Sequence, residues 1–253
     1  SRAEELMTSQ PKPTPTTVNQ RVRLVRTYPR FTVSQRWEHA VFLVCVAILL
    51  ATGLPQKYNT SAWSQAIISS PERLNTLQQI HHITALVLTA LVLYHLAKAF
   101  YLIARRKLSD DMLPSVQDIK DAWTMVLYLV YIRRQKPAFG KYNFEQKVTY
   151  WFLFFSIGIM MLSGFTMWFP EVVTRLLPGG VIPAAIMAHS TEAIVTLIFI
   201  VLWHFYHVHF ERLNLSIFSG WLNEEDMSRY HAREYSQLVH TPQSEKDPGE
   251  TKS

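Results

Sequence analysis

The chain has 253 residues, 49% of them hydrophobic, but its mean hydropathy is only +0.05, which favours a membrane protein with polar connecting segments over one soluble domain. The net charge of +6 does not indicate nucleic-acid binding, because the basic residues flank apolar stretches, where they serve as topology signals and contact lipid headgroups. The single cysteine, Cys45, excludes an intrachain disulfide, a CxxC zinc pair and a covalent CxxCH haem attachment.

The polar ends of the chain enclose a long apolar region. Residues 1–30 are rich in Pro, Thr and Arg, lack the apolar segment of a cleavable signal peptide, and suggest a flexible basic tail. Residues 31–212 contain four apolar stretches that approach or reach the length of a membrane span. Residues 213–253 form a polar C-terminal tail. The four predicted spans cover about residues 37–54, 77–103, 148–169 and 183–210.

Residues 108–147 separate spans two and three. Between Pro114 and Arg134, apolar residues recur at helical spacing with charged residues between them, which predicts an amphipathic helix lying in the membrane interface. The predicted fold is therefore an all-α membrane protein, a four-transmembrane-helix bundle with an interfacial amphipathic helix between spans two and three. The apolar positions of that helix are Val116, Ile119, Trp123, Val126, Leu127 and Val130.

The basic residues predict the orientation of the spans. Arginines precede span one, the Arg105–Lys107 cluster follows span two, and a basic loop precedes span three, whereas the loops 55–76 and 170–182 contain few Lys or Arg. By the positive-inside rule, we expect a multi-pass protein of the bacterial inner membrane with both termini in the cytoplasm.

Histidines lie at two depths in the predicted bundle. His189 and His204, both on span four, are fifteen residues apart, about 22 Å along a helix and about 60° around it. Ionisable groups at bilayer depth are costly and usually functional. Since successive spans run in opposite directions, histidines of other spans fall at the same two levels. The outer level comprises His81, His82 and His189, and the inner level comprises His39, His95 and His204.

Facing imidazoles at two levels are what a two-haem membrane cytochrome requires. Bis-histidine ligation keeps haem iron six-coordinate and suits electron transfer. The spacing alone predicts an outer pair with His189 and an inner pair with His204, and it leaves the opposing histidine open at each level. Six histidines, counting His207 near the inner interface, would allow a third haem, although a solvated or quinone-contacting role suits His207 equally well.

Glu192 lies one turn past His189 and would be costly if it faced lipid. We expect it to hydrogen-bond a haem propionate or a haem ligand, to carry protons, or to join two helices by a simple hydrogen bond.

Several fragments, in this order, resemble the cytochrome b (gamma) subunits of respiratory formate dehydrogenases, which belong to a dihaem cytochrome b superfamily. Part of the pattern resembles a branch associated with multihaem cytochromes c. The resemblance covers about residues 31–210. The fragments that carry it are FTVSQRWEH (31–39), TGL (52–54), HHITA (81–85), PAFGKYNFEQK (137–147), YW (150–151), MLSG (161–164), HSTEA (189–193) and WHFY (203–206).

The resemblance implies two b haems held by four helices, with a menaquinone or ubiquinone site beside the inner haem. Carried over to this chain, it implies the outer pair His81–His189 and the inner pair His39–His204. The sequence departs from the family pattern at His95, which would suit an inner pair His95–His204, and in the fifteen-residue spacing on span four, where the family has fourteen. The inner ligand opposite His204 therefore stays open between His39 and His95.

The predicted function is that of a dihaem cytochrome b subunit of an oxidoreductase complex, passing electrons between a membrane quinone and a redox partner on the outer face. That partner would be a multihaem cytochrome c or an iron–sulfur protein, because the chain has no flavin, iron–sulfur or c-haem motif of its own. The alternative is a non-redox anchor or assembly subunit on the same scaffold. A transporter with a histidine proton relay is disfavoured, because no pair of spans is broken by Gly or Pro.

Overall fold

The computed structural model describes residues 27–107, 112–135, 142–206 and 215–240, and within these ranges the chain is mainly helical. The helices are α1 (Val33–Lys57), α2 (Ala62–Ile67), α3 (Pro71–Ala104), α4 (Val116–Leu129), α5 (Phe144–Trp168), α6 (Pro170–Leu176), α7 (Val181–Phe199) continued by a π-helical turn (Ile200–His204), α8 (Ser216–Ser219), α9 (Glu224–Tyr230) and α10 (Ala232–His240). Two short strands, β1 (Thr27–Pro29) and β2 (Trp221–Asn223), pair in antiparallel fashion.

Four helices, α1, α3, α5 and α7 with its π turn, are long and apolar enough to cross a membrane. This confirms the predicted all-α, four-span architecture. Helix α1 packs mainly on α3, and α5 packs mainly on α7. The small core between them centres on Cys45, Leu88 and Ile157. Large apolar side chains elsewhere on these helices face outward, as they do in a bundle whose surroundings are lipid.

The spans begin earlier than the apolar stretches do, because polar caps start the helices. The side chains of Thr32 and Asn143 each accept a hydrogen bond from the backbone N–H three residues later. The side chains of Gln35 and Gln146 in turn accept one from the backbone N–H of the cap residue. Helix α3 starts at Pro71 behind the cap residue Ser70, six positions before the predicted span. Capping stabilises polar first turns that hydropathy does not detect.

The two halves of the bundle repeat one pattern. Each half is a long helix, a short helix and a long helix: α1–α2–α3 and then α5–α6–α7. Residues of α1 and their counterparts in α5 are 111 positions apart, and His81 and His189 are 108 apart. The matched residues, and the equivalent contacts of Gly53 with His81 and of Gly164 with His189, indicate a parallel repeat. In such a repeat, an approximate two-fold axis along the membrane normal relates the halves. The matched residues are Thr32 and Asn143, Gln35 and Gln146, His39 and Tyr150, Cys45 and Ser156, Ile48 and Ile159, Thr52 and Ser163, and Gly53 and Gly164.

The π-helical turn accounts for the fifteen-residue spacing on span four. The Phe205 N–H donates to the Ile200 carbonyl, five residues earlier, so the turn holds one residue more than an α-helical turn. One extra residue would rotate an ideal helix by about 100°. The π turn absorbs that rotation, and His204 therefore corresponds to His95 on α3, which lies fourteen residues after His81.

Residues from both ends of the described chain meet beside the start of α1. Backbone bonds join Arg30 and Phe31 to the Gly220 carbonyl, and the buried Arg30 pairs with Glu234 at 3.1 Å. Gly220 has φ +87°, and a Cβ there would contact Arg36 and the Phe31 carbonyl. Residues 215–240, which the sequence suggests belong to a polar tail, thus form the helices α8, α9 and α10 and the strand β2. Helix α8 contacts α1, and β2 and α9 contact β1.

Helix α4 has the amphipathic pattern that the sequence predicts. The Ser115–Asp118 capping box starts it, and Lys147 Nζ on α5 lies 2.9 Å from Asp118 Oδ2. Its apolar stripe faces away from the bundle: Val116, Ile119 and Trp123 are 63–72% exposed. Helix α4 is therefore attached through its polar side.

We predict that Asp118→Asn loosens α4. Burial opposes ionisation of Asp118, but hydrogen bonds from Lys147 and Ser115 outweigh it and lower the pKa of the carboxyl. A carboxyl with a lowered pKa stabilises the folded state above its unfolded pKa, and the contribution is lost as the pH falls through the folded pKa. Removing the charge should cost about 1–3 kcal/mol locally, measured as faster hydrogen exchange of the α4 amides at fixed pH.

The matched control for this change is Lys120→Gln, which removes an exposed charge from the same helix. Equal exchange rates in the two variants would contradict the role given to the Asp118–Lys147 pair.

Candidate functional site

At the outer level, His81 on α3 and His189 on α7 face each other. Their ring centroids are 6.3 Å apart, with 65° between the ring planes. An iron bound by two imidazoles needs a separation of roughly 6 Å, because each iron–nitrogen bond is about 2 Å and each ring adds about 1 Å. The spacing of this pair therefore fits a bis-histidine iron centre.

The nitrogen atoms of the outer pair fit the same centre. Nδ1 of His81 lies 2.9 Å from Thr52 Oγ1, and Nδ1 of His189 lies 3.1 Å from both Ser163 Oγ and the Met160 carbonyl. Within the described residues, Nε2 of neither ring has a hydrogen-bond partner. Each ring is thus held by Nδ1 and keeps Nε2, a usual metal-binding nitrogen, available.

Glycines let these rings lie close to the neighbouring helix. A Cβ at Gly53 would lie 3.2 Å from Cε1 of His81, and a Cβ at Gly164 would lie 3.2 Å from Cε1 of His189. A Cβ at either glycine would require the imidazole to shift by a few tenths of an ångström.

At the inner level, His39 on α1 and His204 at the end of the π turn have ring centroids 6.4 Å apart and planes at 38°. Nδ1 of His39 is buried, and none of the residues that the structure describes forms a hydrogen bond with it. Phe218 of α8 contacts the same ring edge-on at 6.2 Å. Since a buried nitrogen without a partner is costly, His39 also fits a site completed by a bound group.

His95 lies in a different environment from His39. Its Nδ1 is 2.8 Å from Glu38 Oε2 and its Nε2 is 3.2 Å from the Tyr150 hydroxyl. Glu38 is buried and also accepts hydrogen bonds from Lys98 Nζ at 2.6 Å and from Ser34 Oγ at 2.7 Å. Both nitrogens of His95 are therefore occupied by protein groups.

The remaining candidates lie beside these two levels. The His82 ring stacks on Trp168, with centroids 4.2 Å apart, at the outer end of the bundle. Glu192 accepts hydrogen bonds from Ser156 at 2.5 Å and from Thr196 at 3.4 Å, so it joins α7 to α5. His207 lies outside the described residues.

Sequence reasoning overlooked the residues that hold the outer imidazoles, Thr52 and Ser163, and the Tyr150 contact of His95. A hydroxyl in an apolar span is too common to single out. The signal that finds all three is the internal repeat, because Thr52 and Ser163 are equivalent positions and Tyr150 corresponds to His39.

Two comparisons identify relatives of the chain. The prokaryotic cytochrome b561 family matches residues 30–220. The formate dehydrogenase cytochrome b556(fdo) subunit of Escherichia coli (strain K12) is 23% identical over 219 residues, which covers 85% of this chain and 95% of the relative. The formate dehydrogenase cytochrome b556 subunit of Haemophilus influenzae is 24% identical over 205 residues, 81% of this chain and 80% of the relative.

The matched region contains all four membrane helices and both histidine levels. The resemblance found in the sequence is thereby confirmed, and the paired imidazoles suit the haem b of such proteins. The chain belongs to the prokaryotic cytochrome b561 family and is a membrane cytochrome b that takes part in electron transfer.

Proposed function

We propose that the chain is a dihaem cytochrome b subunit that passes electrons between a membrane quinone and a redox partner at the outer face. The observation that carries this proposal is the presence of two facing histidine pairs, at 6.3 and 6.4 Å, one near each end of the bundle. Haem b, when bound at each pair, supplies a one-electron carrier.

His81 and His189 are the ligands of the outer haem in this proposal. Their Nδ1 atoms are fixed by Thr52, Ser163 and a backbone carbonyl, and their Nε2 atoms are available to iron. His82 is not needed as a ligand, because its ring is stacked on Trp168.

His39 and His204 are the ligands of the inner haem. His39 faces His204 and has a buried nitrogen without a partner, whereas both nitrogens of His95 are hydrogen-bonded to Glu38 and Tyr150. This distribution supports two haems and gives His95 a different role.

That role is to move protons at the quinone. Glu38 forms an ion pair with Lys98, so its carboxylate can only accept a hydrogen bond, and the donor is Nδ1–H of His95. Nε2 of His95 then accepts a hydrogen bond from the Tyr150 hydroxyl. The chain of groups runs from the partly exposed Lys98 to Tyr150, and Glu38 directly precedes the inner ligand His39. A quinone beside the inner haem, menaquinone or ubiquinone, would exchange its protons through His95 while electrons pass through the haem.

The basic residues at the helix ends support an orientation of the bundle in the membrane, and the names of the relatives support a redox partner. The ends of α1, α3 and α5 that carry Arg36, Arg105 and Lys147 lie on the side of the inner histidines, which supports a cytoplasmic location for that side and for both termini. Helix α4, with its outward apolar stripe, would lie there in the lipid interface. The relatives are named as formate dehydrogenase subunits, which supports a redox partner subunit, a multihaem cytochrome c or an iron–sulfur protein, at the opposite face.

We predict that His189→Ala lowers the haem content from two per chain to about one, because the outer iron loses an axial ligand. His39→Ala should remove the other haem, whereas His95→Ala should retain both. Haem per chain is measured by pyridine haemochrome absorbance of the purified protein, with protein quantified independently.

His82→Ala is the matched control at the outer level and should keep two haems. If the unaltered chain binds no haem, the non-redox anchor becomes the better description. If His189→Ala binds as much haem as the unaltered chain, His189 is not an axial ligand. Loss of a haem in His95→Ala but not in His39→Ala would reverse the inner assignment.

We further predict that His95→Gln slows quinone-linked electron transfer by about 10²–10⁴-fold while both haems remain. The measurement is the rate at which a short-chain quinol reduces the haems in stopped flow. His82→Gln, on the same helix, should react at the normal rate. A normal rate in His95→Gln with both haems present would exclude the proton-transfer role.

A further inference from the structure

The internal repeat places equivalent hydroxyl–glycine pairs against both outer histidines. Thr52-Gly53 on α1 contacts His81, and Ser163-Gly164 on α5 contacts His189. In each half the glycine sets how near the ring lies to the helix, and the hydroxyl meets the ring at Nδ1. The outer site therefore lies on the approximate two-fold axis and is built twice from one design.

The direction of the hydrogen bonds follows from the hydroxyl protons. Thr52 Oγ1 donates to the Ile48 carbonyl at 2.8 Å, and Ser163 Oγ donates to the Ile159 carbonyl at 2.6 Å, each four residues earlier on its own helix. A hydroxyl has one proton and two lone pairs. Since the proton is used within the helix, the oxygen accepts a hydrogen bond from Nδ1–H of the histidine.

The backbone supports the same assignment. The Met160 carbonyl, which can only accept, lies 3.1 Å from Nδ1 of His189. The Nδ1–H of His189 is thus shared between a hydroxyl and a carbonyl, and the Nδ1–H of His81 is directed at the Thr52 hydroxyl. The proton is fixed on Nδ1, and Nε2 is the basic nitrogen.

We propose that Thr52 and Ser163 are paired positioning residues, which fix the tautomer and ring plane of His81 and His189 and set the reduction potential of the outer haem. This inference rests on the proposed function, in which these histidines are the outer ligands. A hydrogen bond accepted from the far nitrogen of a metal-bound imidazole makes that ligand a stronger electron donor. Stronger donation favours ferric iron and lowers the potential.

Ser163→Ala leaves the Met160 carbonyl 3.1 Å from Nδ1 of His189, so that ring keeps one partner. Thr52→Val leaves the His81 ring in contact with Gly53, and we expect the haem to be retained in both variants. We expect Thr52→Val and Ser163→Ala each to shift the ferric–ferrous equilibrium of one haem two- to tenfold towards the ferrous form, a rise of at most about 59 mV. The double variant should shift it further. The second haem, at the inner level, should keep its potential.

The experiment is a potentiometric titration of the purified full chain in detergent, followed through the haem absorbance, with haem per chain measured on the same samples. The low-spin ferric resonance signal provides a second readout, because it depends on the angle between the ligand planes. The conservative variants Thr52→Ser and Ser163→Thr keep the oxygen and should restore both the potential and the signal.

The matched control is Thr166→Val on α5. Thr166 Oγ1 donates to the Leu162 carbonyl at 2.7 Å, the same helix-internal bond, but it makes no hydrogen bond to any histidine in the described part of the chain. Unshifted potentials in Thr52→Val and Ser163→Ala with both haems retained, or an equal shift in Thr166→Val, would overturn the inference. Should Thr52→Val lose the outer haem, failure of Thr52→Ser to restore it would likewise overturn the inference.

The titration distinguishes failure of the proposed function from failure of the positioning role. If the unaltered chain binds no haem, the proposed function fails. If it titrates as two haems and the hydroxyl variants leave both midpoints in place, only the positioning role of Thr52 and Ser163 fails.

Discussion

A polar atom between membrane helices has no water to bond, so it must find a partner in the protein or in a bound group. The bundle is arranged around this constraint. The hydroxyls of Thr52 and Ser163 satisfy their protons on their own helices and offer lone pairs to histidines. Glu38 is surrounded by donors from α1 and α3. Among the described residues, the buried Nδ1 of His39 is left without a partner, and the proposed function assigns this histidine to the inner haem.

The approximate two-fold repeat explains how one short chain meets this constraint at two depths. The same cap, the same hydroxyl–glycine pair and the same long second helix occur in both halves, so the elements that position His81 also position His189. A site on the axis receives identical support from each half. At the inner level the halves differ, because the counterpart of His39 is Tyr150 and the π turn adjusts only α7.

Apolar length, charge and histidine spacing were enough to predict the four spans and the two histidine levels, because lipid requires long apolar helices and makes buried imidazoles rare. Hydropathy did not detect the polar first turns that Thr32, Ser70 and Asn143 cap. The assumption of ideal α-helical geometry does not predict the π turn that ends at His204. The packing of residues 215–240 on the start of α1 depends on long-range contacts such as Arg30 with Glu234, which leave no local pattern. The proposal of His39 over His95 as the inner ligand rests on the positions of Glu38 and Tyr150, which the sequence alone does not give.

The pairing of Tyr150 with His95 has an evolutionary consequence. Its ring separation, 6.3 Å, nearly equals that of His39 and His204, and the two pairs occupy corresponding places in the repeat. A duplicated ancestor with identical halves would have had two equivalent inner positions. The phenol of Tyr150, in place of a second imidazole, makes them different. Under the proposed function, the half with His39 then binds the inner haem, and the half with Tyr150 moves protons.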